Sequence, residues 1–166
     1  MRKIGKIVIH CSDSGFGDVA MIRSWHTDPP PRGNGWKDIG YHFVILNGFR
    51  KAGELDLAAD GFIEPGRPVE QIGSHVKGHN KDSIGICLVG GWDKDGKGKS
   101  LLDSWLTEKQ RVALFGLLDD LLSHYPDARI AGHCELNPGK TCPNLNMDAL
   151  RAEYAKWKEA PLERIA

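Results

Sequence analysis

The stretch Ser83-Ile84-Gly85-Ile86-Cys87-Leu88-Val89-Gly90 decides the fold. Side chains alternate between the two faces of a sheet, so a strand with one buried face shows alternating apolar and polar residues. This run is apolar or small almost throughout, which predicts a strand that is covered on both faces. The stretch therefore indicates a central strand in a sheet with layers on both sides.

Outward from this strand, strand-like and helix-like segments alternate along the chain. Short runs rich in β-branched or aromatic residues predict further strands over residues 4–10, 41–46, 62–64 and 128–131. Asn47-Gly48 is a strong hairpin-turn signal behind the second of these strands. The pattern over residues 49–60 is weak and predicts no regular element.

Three polar residues lie where helix N-caps are expected, namely Asp18, Thr107 and Asn146. Thr107 also begins a capping box with Gln110 at its end. The stretches 93–100 and 133–143 lack periodicity and predict loops. Because strands and helices alternate, the sequence predicts an α/β domain with helices packed on one central sheet.

The composition fits a single domain over residues 1–166. Hydrophobic residues make up 40% of the 166 residues, which excludes a disordered chain. The 22 Lys and Arg residues balance 22 Asp and Glu residues, so bulk attraction to phosphate is excluded and no nucleic-acid partner is expected. The apolar run Ile7-Val8-Ile9 is too short for a signal peptide. We therefore expect synthesis in a cytoplasm, with no signal peptide, no membrane anchor and reduced thiols.

Two places in the chain carry candidate metal ligands. His10 closes the first predicted strand, and ligands in open α/β sheets sit at strand ends. His133 and Cys142 lie nine positions apart in the predicted loop 133–143, a separation that fits two ligands on opposite arms. Lys140 beside Cys142 favours the thiolate. The sequence has no CxxC or HExxH motif, so these residues alone leave open a metal site or packed core thiols.

Seven short motifs follow one another along residues 4–158. They are Val8-Ile9-His10-Cys11-Ser12, Ile22-Arg23-Ser24-Trp25-His26, Ile39-Gly40-Tyr41-His42-Phe43, Gly73-Ser74-His75, Ser83-Ile84-Gly85-Ile86-Cys87-Leu88-Val89-Gly90-Gly91, Gly132-His133-Cys134 and Lys140-Thr141-Cys142-Pro143. In this order they resemble the zinc-dependent N-acetylmuramoyl-L-alanine amidases of the type 2 amidase family. That family includes short phage amidase-type lysozymes, and the peptidoglycan recognition proteins share its fold.

The resemblance implies a fold, a cofactor and a reaction. The implied fold is a single mixed central β-sheet flanked by helices. The implied cofactor is one Zn²⁺ ion on His10, His133 and Cys142, with Tyr41 and Lys140 as the catalytic pair. His75 matches a residue of the substrate groove. The implied reaction is hydrolysis of the peptidoglycan amide between the lactyl group of N-acetylmuramic acid and L-alanine, as expected of a phage or prophage endolysin made in the host cytoplasm that acts on the cell wall.

The remaining histidines and cysteines are expected to have structural roles. Cys11, Cys87 and Cys134 are assigned to packing. His42 is left out of the catalytic set, because strand alternation directs it away from Tyr41. His26, together with Trp25, is expected to anchor the first helix.

Two departures from the family pattern are visible. The segment 49–60 looks longer than in the shortest phage members, which predicts an altered groove wall. After Pro143, where the family often has an aromatic residue and then an Asp, this chain has Asn144-Leu145-Asn146. Leu145 is expected to fill the apolar role and Asn146 to cap the final helix.

Two alternatives accompany the enzyme hypothesis. Fold relatives that have lost a zinc ligand only bind muropeptides, so the first is a non-catalytic peptidoglycan-binding module. The second is an amidase with an added regulatory role, since some phage amidases also bind a phage RNA polymerase; a protein partner of this chain is unknown. The presence of Tyr41, Lys140 and Cys142 favours the enzyme.

Overall fold

The computed structural model describes residues 2–92 and 98–160. Its strands are β1 (Lys6–Cys11), β2 (Phe43–Lys51), β3 (Glu54–Pro65), β4 (Ser83–Leu88) and β5 (Arg129–Gly132). Its α-helices are α1 (Val19–Thr27), α2 (Glu108–His124), α3 (His133–Leu136) and α4 (Met147–Glu159). Residues 93–97 of the predicted glycine-rich loop lie outside the described residues.

The five strands form one mixed sheet in the order β3-β2-β4-β1-β5. β4 pairs in parallel with β1 and with β2, while β3 runs antiparallel to β2. The apolar stretch that begins at Ser83 therefore contains the central strand β4, and all six residues of β4 are buried. Both the central position of this strand and the mixed sheet flanked by helices are confirmed.

The sheet separates two layers. Ile7, Ile9 and Ile86 lie on the face that packs against α2 and α4, which contribute Leu114, Leu118 and Leu150 to one core cluster. The opposite face contributes Val44, Leu46 and Cys87 to a second cluster with Val19 and Ile22 of α1. A sheet covered in this way requires strands that are apolar on both faces, as the sequence of β4 predicted.

The three predicted N-caps are confirmed. Asp18 accepts a hydrogen bond from the Met21 backbone at 2.8 Å, and Thr107 forms the full capping box with Gln110. Asn146 accepts from the backbone N–H of Ala149 at 3.0 Å, and Leu145 is buried in the core, as expected of both residues. The helices therefore begin where side chains satisfy the first backbone donors.

The predicted hairpin turn at Asn47-Gly48 is wrong. β2 continues through both residues to Lys51, and the chain reverses at Gly53 before β3 begins. The register shifts at Asn47, whose side chain accepts from the Phe49 backbone, so Asn47-Gly48 forms an irregularity within the ladder. A glycine with positive φ suits a β-bulge as well as a turn, and sequence alone does not distinguish them.

Two other expectations need correction. Residues 49–60 are not irregular but form the distal part of the β2–β3 hairpin. Residues 133–143 are not loop throughout, because α3 forms one helical turn at their start. Glu135 caps this turn by accepting from the Gly132 backbone at 2.8 Å, and a four-residue helix is too short to show helical periodicity. Among the described helices, none combines the length and apolarity that crossing a membrane requires.

Candidate metal centre

His10 lies at the carboxyl end of β1, opposite Cys87 of β4 in the parallel register. Only 1% of the residue is exposed, and the rings of Tyr41, His75 and His133 lie against its imidazole. Its Nδ1 atom is 3.7 Å from Sγ of Cys142. A ligand atom each from His10, His133 and Cys142 lies within 4.8 Å of the other two.

The segment after β5 brings the other two donors to His10. His133 is the first residue of α3, and its ring centroid lies 4.7 Å from that of His10. The chain then turns back, and the backbone N–H of Cys134 donates to the carbonyl of Cys142 at 2.8 Å. The backbone N–H of Cys11 points at Sγ of Cys142 at 3.3 Å. These contacts fix the two arms that the sequence spacing predicted.

The protonation of these donors fits a metal site. Burial, with the neighbouring His75 and His133 rings, holds the pKa of His10 well below its ordinary range. Burial and then the Lys140 charge lower the pKa of His133, so both imidazoles are neutral and have a lone pair to offer. The Cys11 thiol and burial raise the pKa of Cys142, so a thiolate there requires a nearby positive charge. Two neutral imidazoles, and a thiol that a bound cation would deprotonate, therefore suit a divalent cation that accepts nitrogen and sulfur ligands.

Tyr41 and Lys140 flank this centre. Tyr41 precedes β2 rather than beginning it, and its ring centroid is 5.1 Å from that of His10. Burial raises the pKa of Tyr41 well above its ordinary value, so the phenol keeps its proton. Lys140 is exposed and lines a cavity of about 370 Å³ together with His133, His75 and Trp36. The structure thus places both predicted catalytic residues beside the donors, while their roles stay predictions.

His75 is 9% exposed and contacts a predicted metal ligand directly. Its Nδ1 atom lies 2.9 Å from Nε2 of His10. Burial is the main cause that lowers the pKa of His75 to about 3, and the nearby His42 contributes. The ring also lines the cavity that Lys140 borders, so the substrate-groove role predicted for it remains a prediction.

His42 has a structural position beside the site. Its Nδ1 atom accepts from the backbone N–H of Gly85 at 3.0 Å, and its Nε2 atom lies 3.0 Å from the carbonyl oxygen of Gln71. Burial chiefly lowers its pKa to about 4, and the charges of Arg2 and Arg67 act in the same direction. Both ring nitrogens are used by the backbone, which agrees with leaving His42 out of the catalytic set.

The other predicted structural residues behave differently from one another. All four cysteines lie in the described part of the chain and are free thiols; Cys11 and Cys87 are buried, whereas Cys134 is only half-buried. His26 accepts from the backbone N–H of Gly40 at 3.0 Å, and thereby ties α1 to the segment that carries Tyr41. Its ring centroid is 5.4 Å from that of Tyr41.

Sequence reasoning missed the roles of Gly73 and Gly85 at this site. A Cβ atom on either glycine would lie 2.7 Å from the His75 ring, so both glycines make room for that ring. A glycine inside a strand is a known sign that another group approaches the backbone closely. Gly85, in the middle of β4, carried that signal, but the sequence did not indicate which group approaches.

The chain combines a central mixed sheet with two histidines and a cysteine that converge near the carboxyl end of β1. The sequence model of the N-acetylmuramoyl-L-alanine amidase family matches residues 1–145, and the chain belongs to this family. The chain is 39% identical over 144 residues to the endolysin of Escherichia phage T7, covering 85% of this chain and 81% of that protein.

Solved structures agree with this assignment. The Ph2119 endolysin from a Thermus scotoductus bacteriophage is 26% identical, with a TM-score of 0.69 over 93% of this chain and 86% of that chain. Drosophila PGRP-LB is 22% identical, with a TM-score of 0.66 over 95% of this chain and 82% of that chain. The second likeness shows the shared fold, as the sequence analysis expected for the peptidoglycan recognition proteins.

Proposed function

We propose that this chain is a phage or prophage endolysin that hydrolyses the peptidoglycan amide between the lactyl group of N-acetylmuramic acid and L-alanine. The observation that carries this proposal is the convergence of His10, His133 and Cys142 beside a cavity bordered by Lys140. Membership in the amidase family and the likeness to phage endolysins support the same reaction.

The cofactor that fits these three donors best is one Zn²⁺ ion. Zinc takes imidazole nitrogen and thiolate sulfur, and catalytic zinc sites use three protein ligands so that one position stays open. When bound, zinc would polarise the scissile carbonyl and acidify water. His10, His133 and Cys142 would hold the ion, and their net charge of minus one would leave the site with a single positive charge.

Tyr41 and Lys140 would act on the reacting amide. The phenol of the partly buried Tyr41 keeps its proton, so it is able to donate a hydrogen bond to the carbonyl oxygen or to orient the attacking water. Lys140 would place a positive charge where negative charge develops on that oxygen. The exposed Trp36 ring on the cavity wall would offer an apolar surface to the substrate.

Incubation with purified peptidoglycan tests the reaction. The products are separated, their masses are determined by mass spectrometry, and new amino groups are labelled. We expect free amino ends on L-alanine and intact glycan strands. New reducing sugars without new L-alanine amino ends would indicate a glycosidase and would overturn the proposal.

The same assay separates the enzyme from a non-catalytic wall-binding module. Such a module would sediment with peptidoglycan and release no product, whether or not zinc is added. The complete donor set, with Cys142 present, favours the enzyme. A regulatory role in binding an RNA polymerase remains a prediction from the resemblance alone. Synthesis in the host cytoplasm remains a prediction from the resemblance and from the short apolar run near the N-terminus.

A further inference from the structure

A chain of hydrogen bonds leads from the start of β4 to the predicted metal ligand on β1. Oγ of Ser83 lies 3.2 Å from Nε2 of His75, and Nδ1 of His75 lies 2.9 Å from Nε2 of His10. Ser83 is completely buried, and His10 is 1% exposed. The contacts therefore lie within the protein interior, where each donor needs an acceptor.

The direction of these hydrogen bonds follows from the partner of Ser83. Its hydroxyl donates to the backbone carbonyl of His79 at 2.7 Å, and a hydroxyl has only one proton to donate. Toward His75 the Ser83 oxygen must therefore accept, so Nε2 of His75 carries the proton. A neutral ring that is protonated on Nε2 has a bare Nδ1, which accepts from Nε2–H of His10.

The same logic assigns the tautomer of His10. A neutral imidazole that carries its proton on Nε2 has its lone pair on Nδ1, and Nδ1 is the atom that lies 3.7 Å from Sγ of Cys142. The metal-binding nitrogen of a histidine is selected by the hydrogen bond that the other nitrogen makes. The network thus directs the His10 lone pair toward the other two donors.

The backbone of β4 is built to admit the middle member of this network. A Cβ atom on Gly85 would lie 2.7 Å from Cγ of His75, and one on Gly73 would lie 2.7 Å from its Cδ2. The backbone N–H groups of His75 and Val76 both donate to Oδ1 of Asn80 at 2.8 Å, which fixes the segment that carries the ring. His75 is therefore positioned by its surroundings and not by the His10 contact alone.

We propose that Ser83 and His75 are positioning residues that set the tautomer of His10, so that its Nδ1 atom is ready to bind the metal. This inference rests on the zinc site of the proposed function. It assigns His75 a role toward the metal ligand in addition to its place on the cavity wall. It also assigns a role to Ser83, which does not contact His10 and acts on it through the ring of His75.

Three variants test the hydrogen-bond network that joins Ser83, His75 and His10. Ser83→Ala removes the acceptor for His75 and leaves the size of the side chain nearly unchanged. His75→Leu removes the acceptor for His10. His75→Asn restores that acceptor, because the amide oxygen of Asn occupies a position close to that of the His Nδ1 atom. Circular dichroism and thermal unfolding with excess chelator show whether each variant folds.

Zinc affinity is the first measurement, made by competition with a chromophoric chelator. Loss of an outer partner of a metal-binding histidine typically lowers affinity about 10- to 100-fold. We expect a loss in this range for Ser83→Ala and His75→Leu, and a smaller loss for His75→Asn. Equal zinc affinity in the parent protein and all three variants would overturn the proposal. Equal losses of affinity in His75→Asn and His75→Leu, when both variants fold, would also overturn it.

The second measurement reads the tautomer directly. Nitrogen-15 NMR of the histidine rings after chelation distinguishes protonated from bare ring nitrogens. We expect Nε2 of His10 to be protonated in the parent protein and His75→Asn, and a mixture of tautomers in Ser83→Ala. An unchanged His10 spectrum in Ser83→Ala and His75→Leu would contradict the proposal. A parent protein that binds no zinc would instead refute the proposed function, so the two failures are distinguishable.

Discussion

The two faces of β1 and β4 differ in what holds them together, although their residues alternate along the same strands. One face, here called the apolar face, presents Ile7, Ile9, Ile84 and Ile86, all fully buried under α2 and α4. The other, here called the histidine face, presents His10 beside Cys87 and leaves room at Gly85 for the His75 ring.

Within one sheet, the apolar face therefore contributes mainly to the stability of the fold, and the histidine face positions the groups of the candidate metal site. Contacts on the apolar face are non-directional, so their contribution scales with buried area and with packing. The histidines on this face are polar and buried, so each must be placed at hydrogen-bond distance from a partner. We therefore expect substitutions on the apolar face to change the free energy of unfolding, and substitutions on the histidine face to change metal binding and catalysis.

The largest effect is expected at the metal donors. Cys142→Ser should lose zinc and amidase activity together, because a serine hydroxyl is a poor substitute for a thiolate ligand. Cys134→Ser is the matched control, since this thiol lies in the same segment but outside the donor set. Zinc content by atomic spectroscopy and activity on peptidoglycan check both variants. Unchanged zinc in Cys142→Ser would show that another residue completes the site.

The next largest effect is expected at Lys140, where a substitution should lower catalysis without changing metal binding. Lys140→Ala should lower turnover by about 10²- to 10³-fold, the range for removing one group that stabilises a developing oxyanion. Zinc content should stay at the parent level, because Lys140 is not a donor. Lys156→Ala, on the exposed side of α4, controls for the loss of a positive charge. A loss of zinc together with activity would contradict the division of roles.

A core substitution tests the apolar face. Leu118 of α2 is fully buried, and Leu118→Ala should lower the free energy of unfolding by about 2–5 kcal/mol. Val112→Ala on the same helix, where the side chain is 49% exposed, should cost far less. Urea unfolding measures both. The zinc affinity of folded Leu118→Ala should match that of the parent. A large loss of zinc affinity would show that packing on the apolar face affects the metal donors on the histidine face.

The last effect is a pH dependence of stability at His42, which lies beside the site and can be followed in steps of a pH unit. Burial lowers the pKa of His42 to about 4 in the folded chain, while the unfolded chain has the ordinary value near 6.5. Between these values the unfolded state binds more protons, so stability is fully present above about pH 6.5 and is lost as the pH falls toward about 4. His42 alone contributes a slope of at most about 1.4 kcal/mol per pH unit.

His42→Asn tests this contribution, because its amide oxygen is able to accept from Gly85 without titrating. Urea unfolding of both proteins is measured across this pH range in excess chelator, which removes the effect of metal release. We expect a shallower slope in the variant. Identical slopes would show that His42 does not titrate differently in the folded and unfolded states.

Much of the fold was predictable because its signals are local. The β4 stretch, the N-caps at Asp18 and Asn146, and the capping box of Thr107 and Gln110 each lie within one short window of sequence. The misplaced hairpin turn arose where one local signal suits two structures. Asn47-Gly48 is compatible with a turn and with an irregular strand, and only pairing with β3 selects the second.

The residues of the site were predictable from the sequence, but the contacts among them were not. The motifs around His10, His133 and Cys142 resemble a known family, and the structure brings these three residues together. No local pattern connects Ser83 or Gly85 to His10, because their contacts depend on the register of β1 against β4 and on the path of the segment between β3 and β4.

The sequence by itself determined the central strand, the helix N-caps and the residues able to bind a metal, because hydrophobic pattern, capping and donor chemistry are properties of neighbouring residues. Tertiary structure alone decided which nitrogen of His10 faces Cys142 and which groups surround His75. Those features depend on distances between residues that are far apart in the chain. Such distances are fixed only when the strands pair and the sheet is covered on both faces.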